Sequence, residues 1–176
     1  MSVLRLFHGS TEAVSSPQII SDLRGRDFGF GFYTTDIAEQ SKRWALRRAL
    51  IKYRNGDESA KGIVSIYDFD DQHFDELKVL RFQEANLEWL DFVCRCRSNP
   101  DYVHGYDIVI GKIANDNVGE TINFVVRGIM RKEDALQKLR FQQINNQICF
   151  TSENALRYLQ YIKCEKFALL TEGVDR

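Results

Sequence analysis

Two short stretches hold the residue types and spacings that could do chemistry: Phe7-His8-Gly9-Ser10, and Asp27-Phe28-Gly29-Phe30-Gly31-Phe32-Tyr33-Thr34-Thr35-Asp36. In the second, two glycines flank a bulky residue, a pattern for backbone that passes close to a ligand. Tyr33 follows in a β-prone run, with a flat apolar face and a polar tip suited to stacking on a planar ring. His8-Gly9-Ser10 closes the first apolar strand and supplies a second set of ligand-facing groups. Together they imply a pocket for a nucleotide-like molecule.

The remaining reactive types form no recognisable centre. Cys94 and Cys96 are two apart on an expected helix and face different ways. No Cys/His pair at zinc spacing accompanies them, so no metal site is expected. His73 and His104 lack ligand partners at such spacing and read as surface residues. The acidic run Asp68, Asp70, Asp71, Asp75, Glu76 lacks the glycine and terminal glutamate of a calcium loop and reads as a solvated turn.

The elements that must position these residues are legible in outline. Apolar content of 44% with 28% charged residues fits a globular chain, and 176 residues suit one domain over residues 1–176. A net charge of -1 gives no global pull toward nucleic acid or membrane. The chain opens into a strand-like Val3–Phe7 with no signal peptide, no apolar run reaches membrane length, and the cysteines read as free thiols, so a cytoplasmic setting is expected. Ser15–Arg26 reads as a loop and Gly31–Thr35 as a short strand. Asp36 with Glu39 is a helix-start signal, and the helix runs to about Arg54, burying Leu46, Ala49, Leu50 and Tyr53 before Asn55-Gly56 ends it. Strands are expected at Gly62–Phe69, Leu77–Phe82, Tyr106–Ile113, Gln147–Phe150 and Phe167–Leu170. Helices are expected at Glu84–Arg97 (face Leu87, Leu90, Cys94), Val118–Met130, Glu133–Phe141 and Glu153–Gln160. Mixed order without strict alternation argues for α+β.

The histidine-glycine-serine, the glycine-flanked tyrosine segment Phe28–Trp44 and a weaker piece near Gln147 resemble the nicotinamide pocket of the ADP-ribosyltransferase superfamily. The likeness is to the diphtheria-toxin and poly(ADP-ribose) polymerase branch, with its His, Tyr and Glu on three strands. With the Tyr106–Gly111 strand, the chain looks like a bacterial family of that superfamily with toxin–antitoxin members. The resemblance implies a split, mixed-sheet fold with peripheral helices and NAD, the substrate, between its halves. It makes His8 the partner of the adenosine-side ribose, Gly9 the backbone clamp on the carboxamide, with Ser10 beside it, and Tyr33 the ring that stacks on nicotinamide. Ser41 matches a serine that bonds the carboxamide and Trp44 a second aromatic completing a sandwich. Gln147 stands where the family has its glutamate. An amide can still bond a ribose hydroxyl but brings no charge, which points to single transfer rather than chain elongation. Asp116, Glu120 or Glu153 could supply a carboxylate from elsewhere.

The implied function is NAD-dependent mono-ADP-ribosyl transfer to a macromolecular acceptor, protein or nucleic acid, by a toxin neutralised by a small antitoxin protein. A glycohydrolase releasing ADP-ribose to water and a non-catalytic nucleotide- or RNA-binding module are the rivals. Plainer readings stand beside each residue: His8 in the core, Gly9 as a turn, Tyr33 as strand packing, Ser41 as an exposed helix serine, Trp44 as a core anchor and Gln147 facing solvent. Lys42, Arg43, Arg47, Arg48, Lys52 and Arg54 form a positive stripe. It is either a solvated helix face or a contact for NAD phosphates, nucleic acid or an acidic partner.

Overall fold

Alternating apolar residues make Gly62–Asp70 the central strand of one sheet, and the β-branched run Ile108–Ile113 an inner strand of another. The computed structural model describes residues 2–21, 26–99, 101–113, 116–139 and 145–169. In chain order the elements are β1 (Val3–Ser10), β2 (Phe32–Thr34), α1 (Ala38–Arg54), β3 (Gly62–Asp70), β4 (Val79–Arg81), α2 (Leu87–Ser98), β5 (Ile108–Ile113), α3 (Asp116–Val126), α4 (Lys132–Leu139), β6 (Asn145–Phe150), α5 (Glu153–Leu156) and β7 (Gln160–Phe167). The fold is α+β, with a split, mixed β-sheet core and peripheral helices. One sheet has the order β1-β3-β7, the other β2-β6-β5-β4, with β4 parallel and β6 antiparallel to β5. Two compact units result. One holds β1, α1, β3 and β7; the other holds the glycine loop before Tyr33 and the elements from β4 to α5.

In the first unit α1 lies on β1 and β3. Its buried line is Ser41, Ala45 and Ala49, with Gln40, whereas Leu46, Leu50 and Tyr53 are only half-buried, which corrects the expected stripe. The cause is the strand surface beneath. A Cβ on Gly9 would stand 2.1 Å from the Ser41 carbonyl oxygen, and one on Gly62 3.0 Å from the Leu46 nitrogen. Helix and strand backbones approach so closely that only small side chains fit between them. Ala45, Val64 and Ile66 form the core, flanked by Phe7 and Phe167.

In the second unit α2, α3 and α4 pack on one another, and their buried residues join Val109 and Cys149 of the sheet in one core. The buried face of α2 is Trp89, Leu90, Val93 and Cys96, while Leu87 is 45% exposed, so the expected face was rotated. Trp89 sets that rotation because its ring has the most area to bury and its Nε1 donates to the Lys112 carbonyl at 2.8 Å. Burial pushes the Cys96 thiol up to about 12, so it stays protonated.

Element boundaries moved elsewhere too. Ile37, not Asp36, is the N-cap of α1 and makes no side-chain cap bond, while Asn55 and Gly56 end the helix as expected. The helix expected through Gln160 is one turn, α5, followed by β7, which among the described residues is an edge strand paired with β3. Phe141 and Leu170, at the expected ends of a helix and a strand, lie outside the described residues, as does part of the expected Ser15–Arg26 loop. Among the described residues no helix is long and apolar enough to cross a membrane.

Candidate functional site

The glycine loop is held by hydrogen bonds at Phe28, Gly29 and Gly31. Gly29 has φ +78°, the left-handed conformation that side chains disfavour. Gly31 is needed for a different reason: a Cβ there would lie 2.5 Å from Cys149 Sγ and 2.7 Å from the Phe150 carbonyl oxygen. Both glycines are therefore required by the fold itself. The Tyr33 hydroxyl donates to the Gly29 carbonyl at 2.5 Å and accepts from the Phe28 N–H at 3.1 Å. Burial, then Cys149 and Asp27, push its ionisation well above the usual tyrosine value, so it acts as a neutral donor. Its ring packs on the core, and the Arg26 guanidinium carbon sits 5.5 Å from the ring centroid.

Two residues that sequence reasoning missed fasten the same loop. His104, expected at the surface, is half-buried with Nε2 3.1 Å from the Phe28 carbonyl oxygen. Its Nδ1 accepts from the Tyr106 N–H at 3.2 Å, which assigns the neutral tautomer with the proton on Nε2. Burial lowers its pKa, opposed by the bond to Phe28. Arg97 donates from Nε to Asp27 Oδ1 at 2.6 Å, with side-chain exposures of 18% and 10%. Its guanidinium also reaches the Gly119 carbonyl and Asn123 Oδ1. Separations of 70 and 76 residues put both partners beyond any local signal. His73, likewise expected at the surface, is half-buried and stacks on Tyr158 with centroids 3.8 Å apart.

Gln147 lies in β6 opposite Gly111 of β5 and is half-buried. It is two residues from Cys149, so both point to one face of the sheet. The Cys149 thiol interacts with the Tyr33 hydroxyl, which puts Tyr33 and Gln147 on that same face. Of the alternative carboxylates, Glu120 and Glu153 are exposed, and the side chain of Asp116 is outside what is described.

The remaining candidates belong to β1 and α1. His8 is half-buried opposite Ser65, and Ser10 half-buried opposite Ile63. That face is partly roofed by the segment after Ser10, because Ser65 Oγ accepts from the Val14 N–H at 2.9 Å and the Tyr67 hydroxyl donates to the Val14 carbonyl. On β1 the N–H and C=O of Phe7 bond Thr35 rather than β3, at 2.8 and 3.0 Å, in an isolated bridge. Alternation in an antiparallel ladder then turns the N–H and C=O of Gly9, two residues on, toward that same outer edge. Ser41, expected either in the pocket or exposed, is 3% exposed and donates its hydroxyl to the Ala38 carbonyl at 2.7 Å. Trp44 is no core anchor. It is 52% exposed, and the Arg47 guanidinium lies 5.9 Å from its ring centroid.

A cavity of about 560 Å³ in the second unit, lined by Phe82, Phe92, Tyr102, Tyr106, Asp91 and Arg95 among others, includes none of these candidates. No group of three or more side chains able to hold a metal occurs among the described residues. The chain belongs to the family described as Protein of unknown function (DUF3990), which matches residues 4–161. No curated protein matches it.

Proposed function

We propose that this DUF3990 member is an NAD-dependent mono-ADP-ribosyltransferase with an ADP-ribosyltransferase-like fold, acting on a macromolecular acceptor as the toxin of a toxin–antitoxin pair. The observation that carries the reading is Gly9. Its N–H and C=O lie side by side at the outer edge of β1, a donor and an acceptor spaced like those of a primary carboxamide, which is the group nicotinamide presents. Tyr33 adds the second support. Its ring already takes a planar cation, the guanidinium of Arg26, and the pyridinium of NAD is also planar and cationic. Stacking of this kind contributes roughly 1–3 kcal/mol, on the scale of base–aromatic contacts.

In this reading Gly9 grips the carboxamide, Tyr33 holds the ring, and His8 and Ser10 address the ribose and its neighbouring groups. Ser41 contributes a lone pair while its O–H donates to the Ala38 carbonyl. The nicotinamide leaves with the electrons of the glycosidic bond, through an oxocarbenium-like state as in glycoside cleavage. The acceptor attacks the ribosyl carbon and loses a proton. Gln147 can orient a ribose hydroxyl without stabilising positive charge electrostatically, which favours one transfer over elongation. The same amide favours the rival reading of a non-catalytic binding module.

Incubation with NAD labelled in its adenylate half separates the readings. Label on protein or nucleic acid supports transfer, label only in free ADP-ribose identifies a glycohydrolase, and intact NAD leaves a binding module. Under the proposal Tyr33→Ala abolishes turnover with the fold intact; parental turnover in that variant refutes the assigned pocket.

A further inference from the structure

The outward side of α1 is not absorbed by this chemistry. From Lys42 to Arg54 the helix carries six basic residues and no acidic one, in a chain whose net charge is -1, so the remainder is acidic overall. The inner line Ser41, Ala45, Ala49 faces the strands, while Arg43, Arg47, Arg48, Ile51 and Arg54 are exposed. Among the described residues Lys42 is spent over the Phe167 ring at 4.9 Å and Lys52 on Glu12 at 3.4 Å. Arg43, Arg48 and Arg54 form no ion pair among the described residues. Between these guanidiniums stands Trp44, half-exposed, with Arg47 against its ring.

We infer that this face binds single-stranded nucleic acid. Four guanidiniums along about 16 Å of helix present forked donors to a run of phosphates. An exposed indole between them stacks on an unpaired base, which a duplex keeps inside its own stack. Charge complementarity alone would also suit an acidic protein or an anionic bilayer. Ile51 and Trp44 are too few apolar residues to insert into lipid, and an acidic protein offers the indole no planar partner along a regular anionic backbone. The inference stands independently of NAD turnover.

The molecule carries its own reporter. Its two tryptophans are Trp89, fully buried, and Trp44, so emission that solvent can quench comes from Trp44. Titration with a single-stranded RNA of mixed sequence at 50 mM salt should quench that emission. Log affinity should fall against log salt with a slope of about -2 to -3, for three or four phosphates at about 0.7 each. The triple variant Arg43→Gln, Arg48→Gln, Arg54→Gln should bind about tenfold weaker or worse with unchanged circular dichroism. A charge-matched control, Lys78→Gln, Arg127→Gln, Lys138→Gln, should bind as the parent does. Four results would each overturn the proposal: no quenching by the single strand, equal quenching by polyglutamate or by phosphatidylserine vesicles, preference for duplex, or equal loss in both triple variants.

Discussion

His104 Nε2 donates to the carbonyl of Phe28 across 3.1 Å, although 76 residues separate the two in the chain. The same peptide segment is held from the other side by the Tyr33 hydroxyl, which accepts from the Phe28 N–H and donates to Gly29. A loop with a left-handed glycine is thereby fixed by side chains rather than by a regular ladder. The candidate stacking tyrosine is therefore as ordered as its supports.

That support depends on pH through His104. Its Nδ1 accepts from Tyr106, so protonation would set one N–H against another, and burial already lowers its pKa below the usual 6.5. Below about 6.5 the unfolded chain binds the proton before the folded one does, so stability falls as pH falls through that value toward the lowered one. Above it, this residue adds no pH dependence. Thermal melts at pH 7.5 and 5.5 should show a larger acid loss for the parent than for His104→Gln; equal losses in the two proteins contradict the assignment.

Gly9→Ala should strain the contact between β1 and α1, since the new methyl would fall 2.1 Å from the Ser41 carbonyl oxygen. A backbone atom cannot rotate away as a side chain can, so the cost should reach the upper part of the roughly 1–3 kcal/mol typical of overpacking, or exceed it. Urea denaturation measures this directly. An unchanged midpoint would mean that helix and strand sit further apart than described.

Tyr33 separates loop anchoring from ring stacking. Tyr33→Phe keeps the ring but leaves the Phe28 N–H and Gly29 carbonyl without their partner, at a cost of about 1–3 kcal/mol in stability. If the ring stacks on nicotinamide, NAD affinity by calorimetry should fall much less in Tyr33→Phe than in Tyr33→Ala. The reverse order would assign the tyrosine to the loop alone.

Asp27→Asn should remove the charge facing a largely buried guanidinium. Losing one member of such a pair costs about 3–5 kcal/mol, and Arg97→Met should cost a similar amount. The double variant should lose less than the two single losses combined, because no charge is left without a partner. Strict additivity in chemical denaturation would show that the two side chains do not interact.

Under the proposed chemistry Gln147→Glu supplies the carboxylate that ADP-ribosyltransferases of the resembled branch carry on their third strand. Nicotinamide release should rise about tenfold or more, a barrier change near 1.4 kcal/mol. A slower or unchanged rate with retained fold would show that β6 does not address the reacting ribose.

Periodicity and turn chemistry alone determined most of the elements. The alternation of Gly62–Asp70, the β-branched run at Ile108–Ile113, the long basic helix and its Asn55-Gly56 stop all rest on local physics that any context preserves. β7 escaped because its residues are mostly exposed on an edge strand, so they carry little of the buried alternation that marks a strand. Tertiary structure decided which side of each element turns inward. Leu46 and Leu50 are the more hydrophobic residues of α1, yet Ala45 and Ala49 take the inner line, because the strand glycines bring two backbones together. It also decided the supports of Tyr33, since the pairs Asp27–Arg97 and Phe28–His104 exist only once distant segments meet. Spacing along a chain encodes contacts within a few residues, and hydrogen bonds across 70 have no periodic trace to read.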